Sequence, residues 1–216
     1  MASYIREFIA RNLRNPQGYF GSWFAKNAFI RSNTSLIENT IPLVGIQPDH
    51  VVLEVGFGPG VGLEIALKHL QQGSGKLYGI DISEPMIQAA TSRLGKNMTN
   101  QKMELTLGDV VNLPFADNMF DRVYHTNCFY FWSDHEKAAK ELYRVMKKDS
   151  LMVTTMEKER VENAQRRGFM KYGNVDVDNY VSCVEKAGFS NVKVEDKCMD
   201  KSDAPFIVIY ATATKE

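Results

Sequence analysis

Glu54, Gly56, Gly58 and Gly60 recur at every second position, and two further carboxylates, Asp81 and Asp109, follow short apolar runs downstream. These are the residues whose types and spacing suit the chemistry of a bound nucleoside. Glycine lets a backbone turn sharply and lets a ligand approach the main chain. A carboxylate at the carboxyl edge of a strand can accept from both hydroxyls of a ribose. The dinucleotide fingerprint G-x-G-x-x-G requires a third glycine at 61 or 63. Those positions are Val61 and Leu63, so both frames fail. A charged Glu54 inside the cradle would repel a pyrophosphate at close range and attract an ammonium or sulfonium group. S-adenosylmethionine carries both cations and has no phosphate.

The elements around these residues read as alternating strands and helices. Val51–Val55 suits a buried parallel strand, and Leu63, Ala66, Leu67 and Leu70 recur at helical spacing beyond the glycines. Lys76–Ile80 is a second strand ending at Asp81, followed by a helix over Pro85–Leu94. Ser83 is placed to cap that helix and Pro85 fits its first turn, which leaves Asp81 free for a ligand. A third strand covers Met103–Leu107; Asp109 beyond it is read either as an adenine contact or as an Asx-turn. Arg122–Thr126 is the fourth strand, with Asp121 at the edge away from a ligand. Ser133 or Asp134 caps the next helix, and His135 reads as a solvent-facing residue at its start. Lys147–Ser150 is a turn before a fifth strand, Leu151–Met156. The charged stretch Glu157–Asp176 reads as a linker with a short helix. Val177–Gly188 is the last helix, ending at a glycine. Phe189–Lys197 and Phe206–Thr214 form an antiparallel pair that supplies an antiparallel edge strand. At the other end, residues 1–14 carry a helical apolar stripe, and Asn15–Gly18 is a turn. The stripe can pack on the domain, cover the site as a lid, or meet another copy. Asn33 or Ser35 caps a helix through Leu36–Ile41, which Pro42 interrupts or kinks.

Leu53–Gly60 resembles motif I of the class I S-adenosylmethionine-dependent methyltransferases. Leu77–Ser83, Gly108–Val110, Leu113–Val123 and Glu141–Lys147 resemble four further blocks of that family, in the same order. The likeness covers roughly residues 35–214 and is nearest to the small-molecule branch that includes the ubiquinone/menaquinone-biosynthesis enzymes. It implies a doubly wound, Rossmann-like α/β fold: a seven-stranded, mostly parallel sheet in the order 3-2-1-4-5-7-6 with one antiparallel strand. Residues 1–34 are then an N-terminal helical or lid segment, and 35–216 the methyltransferase domain. It implies a cofactor site of Glu54, Gly56, Gly58, Gly60, Asp81 on the ribose, Ile82 and Met86 against adenine, Asp109 and Val110 at its edge, and Thr126 and Asn127 at the methionine end. Tyr19 closes over the same ligand in this reading, because aromatic faces stabilise cations. Phe20, Trp23, Tyr130 and Trp132 ring the acceptor pocket.

The expected activity is in-line transfer of a methyl group from S-adenosylmethionine to a nitrogen, oxygen or sulfur of a small molecule. No residue compels assignment as a base; His125 and His135 are the first to test. A nicotinamide-dependent oxidoreductase and a non-catalytic binding module of the same fold are the alternatives. The 216 residues hold 26 Lys and Arg against 26 Asp and Glu, so no basic surface for nucleic acid is expected. Three scattered cysteines show no metal spacing and read as free thiols in a reducing compartment. Residues 1–13 lack a signal-peptide core and no apolar run suits a bilayer span. The expectation is a cytoplasmic protein without metal, of undetermined oligomeric state.

Overall fold

The computed structural model describes residues 2–14, 16, 18–98, 102–171 and 173–215; within helices it leaves aside the side chains of 2, 3, 5, 13, 14, 18–20, 22–25 and 96–98. Two helices, α1 (Ala2–Arg14) and α2 (Gly18–Val44), precede the sheet. Then β1 (Val51–Val55), α3 (Val61–His69), β2 (Lys76–Asp81), α4 (Glu84–Met98) and β3 (Met103–Leu107) form one half. The second half is β4 (Phe120–Thr126), α5 (His135–Val145), β5 (Met146–Met156), α6 (Lys158–Arg166), α7 (Val177–Lys186), β6 (Ser190–Cys198) and β7 (Pro205–Ala213).

The seven strands lie in the order β3-β2-β1-β4-β5-β7-β6, as expected. Only β7 runs against its neighbours, and it pairs antiparallel with both β5 and β6. The antiparallel strand is therefore internal, and the edge belongs to β6. Successive strand residues face opposite layers. Leu53, Val123, Met152 and Ile209 pack with α5 and α7, whereas Val52, Tyr124, Val153 and Val208 pack with α2, α3 and α4. Strands buried on both faces read as continuous apolar runs, which is why β1 was visible from sequence. The chain crosses from β3 back to the far side of β1, and this reversal opens a crevice between β1 and β4.

Several expectations change. Asn33 and Ser35 cap nothing, because α2 runs unbroken from Gly18 to Val44 with Pro42 inside it. The same helix runs through residues 34 and 35. Its polar residues are tolerated because their side chains bond carbonyls one turn back: Thr34 Oγ1 donates to Ile30 O and Thr40 Oγ1 to Leu36 O. The helix stops where Gly45 adopts φ 63°. Lys147–Ser150 is not a free turn but an irregularity within β5, with Asp149 at φ 59° and the pairing register shifted between Phe120 and Arg122. The tested turn positions Asn15 and Gln17 lie outside the described residues. Among the described residues, no helix is long and apolar enough to cross a membrane and no acidic, histidine or cysteine cluster is placed to hold a metal ion.

Asp121 shows how the sheet is anchored at the end away from the crevice. Its carboxylate accepts from Val51 N at 2.8 Å and from Lys147 Nζ at 2.7 Å, joining β1, β4 and the irregular part of β5. Asp121→Ala is expected to lower stability by about 1–3 kcal/mol, since a backbone N–H and an ammonium lose their acceptor. Urea unfolding with an unchanged slope and an unchanged midpoint would contradict this.

Candidate active site

The crevice deepens into a cavity of about 950 Å³. Its floor is built by the loops that leave β1, β2, β3 and β4, and its far wall by α2 and α1. Beyond Val55 the chain turns through three left-handed glycines, Gly56 (φ 69°), Gly58 (φ 54°) and Gly60 (φ 81°), the last at the start of α3. Gly56 also has no room for a side chain: a Cβ there would stand 2.9 Å from Cys128 Sγ.

Asp81 holds this turn. Its Oδ2 accepts from Gly58 N at 2.8 Å and its Oδ1 from Ser83 N at 2.9 Å. The expected division of labour with Ser83 does not occur. Met86 N and Ile87 N bond to the main-chain oxygen of Ser83, which leaves its buried hydroxyl without a hydrogen-bond partner among the described residues. Asp81 is thus engaged, not free, yet an ionised carboxylate has roughly four acceptor positions and two remain.

Ile82, Met86, Asp109 and Val110 line the same end of the cavity. Ile82 is half exposed there and Met86 and Val110 are buried. Asp109 forms the Asx-turn, accepting from Val111 N at 3.2 Å, and still faces the cavity. Across the glycine turn, Thr126 and Asn127 line the end of β4. Asn127 sits at φ 51°, accepts from Glu157 N at 3.1 Å and donates to Asn33 Oδ1 at 3.1 Å. Trp132 and Phe131 line the cavity, whereas Tyr130 is buried in the core beside Phe129. Tyr19, Phe20 and Trp23 fall in the first turns of α2, where the side chains lie outside the described residues. Sequence reasoning missed Asn33, Phe29 and Cys128 in the lining. Nothing in a helical stretch marks which polar residue will face a cavity.

Neither histidine is placed to act on a ligand. His125 is fully buried, with Nε2 2.8 Å from Thr154 Oγ1 and 3.0 Å from Tyr180 OH, and burial pushes it down to about 3. His135 is buried, not solvent-facing, with Nε2 3.0 Å from Phe129 O. Burial is also the largest influence lowering it. Both are absent from the described lining.

A family model described as a methyltransferase domain matches residues 53–154. An uncharacterized methyltransferase, YdaC of Bacillus subtilis, is 28% identical over 183 residues, covering 85% of this chain and 93% of its own length. The demethylmenaquinone methyltransferase of Desulfitobacterium hafniense is 30% identical over 118 residues, 54% of this chain, which spans only 46% of that protein. Over residues 53–154 the chain matches a methyltransferase domain, and along most of its length it is similar to a methyltransferase. Among solved structures, a SAM-dependent methyltransferase from Aquifex aeolicus shares the fold, with a TM-score of 0.68, 22% identity, and coverage of 85% of this chain and 93% of that one. The nicotinamide reading is set aside.

The methyltransferase's own residues fit S-adenosylmethionine. The glycine turn leaves a surface without side chains, Asp81 keeps unused acceptor positions beside it, and the cavity continues on both sides. Glu54 is buried beneath the first turn of α3, where a Cβ at Gly62 would collide with its Oε1. Burial pushes its carboxyl up to about 8, opposed by the hydrogen bond from Tyr124 OH at 2.9 Å and assisted by the charge of Asp81. Asp81, raised by burial to about 6 and opposed by its two backbone bonds, is the charged group at neutral pH. Repulsion of phosphate by Glu54 therefore does not operate in the ligand-free enzyme at pH 7.

The raised value at Glu54 has a stability consequence. The folded chain holds a proton there that the unfolded chain releases near 4.5, so this contribution is complete below 4.5 and is lost as pH rises through 8. The melting temperature of the ligand-free enzyme should fall between those limits, and Glu54→Gln should flatten the fall. A Glu54→Gln profile parallel to that of the parent would refute the buried neutral acid.

Proposed function

We propose that the enzyme methylates a small molecule at a nitrogen, oxygen or sulfur that reaches the site ready to attack. The observation that carries this reading is the lining. The cavity is deep and has Phe29, Phe131 and Trp132 among its walls, and its described lining contains no histidine or lysine. Its carboxylates are engaged by the protein: Glu54 is neutral at pH 7, Asp81 grips two backbone N–H groups, Asp109 accepts from Val111 N and Glu7 pairs with Lys171. A neutral amine or a thiolate needs no base from the protein, and a flat apolar body suits aromatic walls. Similar proteins include phosphoethanolamine N-methyltransferase 2 of Caenorhabditis elegans, 27% identical over 158 residues, though this chain spans only 34% of it.

The residue roles follow the strand order. Asp81 would take the ribose hydroxyls with its remaining acceptor positions. Asp109, Val110, Ile82 and Met86 would hold the adenine, and the glycines Gly56, Gly58 and Gly60 with Thr126 and Asn127 would enclose the rest of the cofactor. When bound, S-adenosylmethionine supplies a methyl group already activated on a sulfonium. The protein's task is then to orient the acceptor and exclude water, and orientation alone can remove about 7–11 kcal/mol of a bimolecular barrier. The helices α1 and α2 serve the second purpose: Glu7, Phe8 and Asn12 of α1 close the mouth, and Lys171 Nζ holds Glu7 at 3.0 Å.

Two measurements test this. Asp81→Ala should weaken S-adenosylhomocysteine binding in calorimetry by about tenfold or more, the loss of charge-assisted bonds to two hydroxyls. Unchanged affinity would remove the ribose assignment. A panel of amines, phenols and thiols should show release of S-adenosylhomocysteine with at least one small acceptor. Turnover confined to protein or nucleic-acid substrates would overturn the small-molecule reading.

A further inference from the structure

The orientation of one side-chain amide in the cavity wall can be derived from its neighbours. Glu157 N–H is only a donor, and it bonds Asn127 Oδ1 at 3.1 Å. The other end of the Asn127 amide is therefore Nδ2, and it donates to Asn33 at 3.1 Å. Arg160 is also only a donor, and its Nη2 meets the same atom of Asn33 at 2.7 Å while its Nη1 bonds Ser32 O at 2.6 Å. Two obligatory donors converge on one atom, so that atom is Oδ1. Turning the amide over would set N–H against N–H at both contacts. The Ser32 hydroxyl adds a third bond to Oδ1 at 3.2 Å. Asn33 Nδ2, with two hydrogens, has no protein partner among the described residues, and Asn33 lines the cavity.

Position along the crevice says what this donor can meet. Asp109 follows β3, Asp81 ends β2, the glycine turn follows β1, and Asn127 follows β4. Strand neighbours lie about 4.8 Å apart, so the span from β3 to β4 is about 14 Å. A cofactor with its nucleoside over β3 and β2 crosses the glycine turn and brings its amino-acid end to β4 and Asn33. An ammonium has no lone pair to offer Nδ2, whereas a carboxylate does.

We propose that Asn33 Nδ2, aimed by Asn127 and Arg160, donates to the α-carboxylate of the cofactor's amino-acid end. The assignment rests on the methyltransferase reading of the cavity and adds to it a binding residue carried by α2. Asn127 and Arg160 are positioning residues in this arrangement. They fix which face of the amide the ligand meets, and Arg160 also ties α6 to α2.

Asn33→Asp tests the assignment directly. The substituted carboxylate keeps an oxygen for Asn127 and Arg160 and replaces the ligand-facing donor with an acceptor. S-adenosylhomocysteine should lose about tenfold or more in calorimetric affinity, as a charge-assisted bond becomes a repulsion. Binding of 5′-methylthioadenosine, which shares the nucleoside and sulfur but lacks the amino-acid end, should stay within about twofold. The melting temperature without ligand should not fall. Asn33→Ala, which removes the donor without adding charge, should show the same selectivity with a smaller loss and serves where the aspartate variant does not fold. Unchanged S-adenosylhomocysteine affinity, or equal losses for the two ligands, would overturn the proposal while leaving the cofactor reading intact. A parent enzyme that binds neither ligand would remove the cofactor reading itself, and the proposal with it.

Discussion

A single carboxylate at the end of β2 joins the two loops from which the nucleoside side of the crevice is built. Asp81 takes Gly58 N with one oxygen and Ser83 N with the other. Backbone N–H groups in a buried loop must find acceptors or cost free energy. Here one side chain satisfies one from each loop and so fixes their separation. The left-handed turn through Gly56, Gly58 and Gly60 is thereby held open against the start of α4. Of the two acids beside the glycine turn, Asp81 rather than Glu54 is the one charged at neutral pH, so the group that sets the loop geometry also bears a charge. An amide at this position would keep an acceptor for one loop and set a donor against the other.

Glu54 plays a different part from the one its type suggests. It lies under α3, in space that Gly62 leaves empty, with Tyr124 OH as its donor. A buried acid that stays neutral is a hydrogen-bonding strut between β1, β4 and the helix, not a counter-charge. The charge of Asp81 adds to burial in keeping Glu54 protonated. Of these two buried acids, Glu54 is the one held neutral at pH 7, and Asp81, with two backbone N–H groups on its oxygens, is the one that ionises.

The central strands were legible because buried parallel strands are apolar along their whole length, whereas their order came from the family resemblance and not from any pattern in the residues. What failed was local and polar. Asn33, Ser83 and His135 each carry a side chain with more than one common role, and the choice was made by a partner distant in sequence. Asn33 is read as a cap until Asn127 and Arg160 are seen to converge on it, 94 and 127 residues away. His135 is read as solvent-facing until Phe129 O and Asn179 are found against its ring. Ser83 does not cap with its side chain, because its own main-chain oxygen takes Met86 N and Ile87 N. Periodicity reports which face is apolar; it carries no information on which polar group meets which.

The division of the cavity between sheet and helices bears on where acceptor choice is encoded. Every residue from Glu54 to Asp109 on the nucleoside side falls within the stretch matched by the methyltransferase-domain model, 53–154. Phe8, Phe29 and Asn33, on α1 and α2, lie outside it. The sheet-borne residues leave strand ends whose registers are fixed by six neighbouring pairings, so a change there propagates through the core. A helix laid over the crevice and tied by side-chain bonds such as Arg160 to Ser32 and Asn33 can change its inner face with little cost to the sheet. Under the proposed roles the sheet-borne residues and Asn33 together hold the cofactor, and Phe8 and Phe29 of the helices are the wall residues left to meet an acceptor.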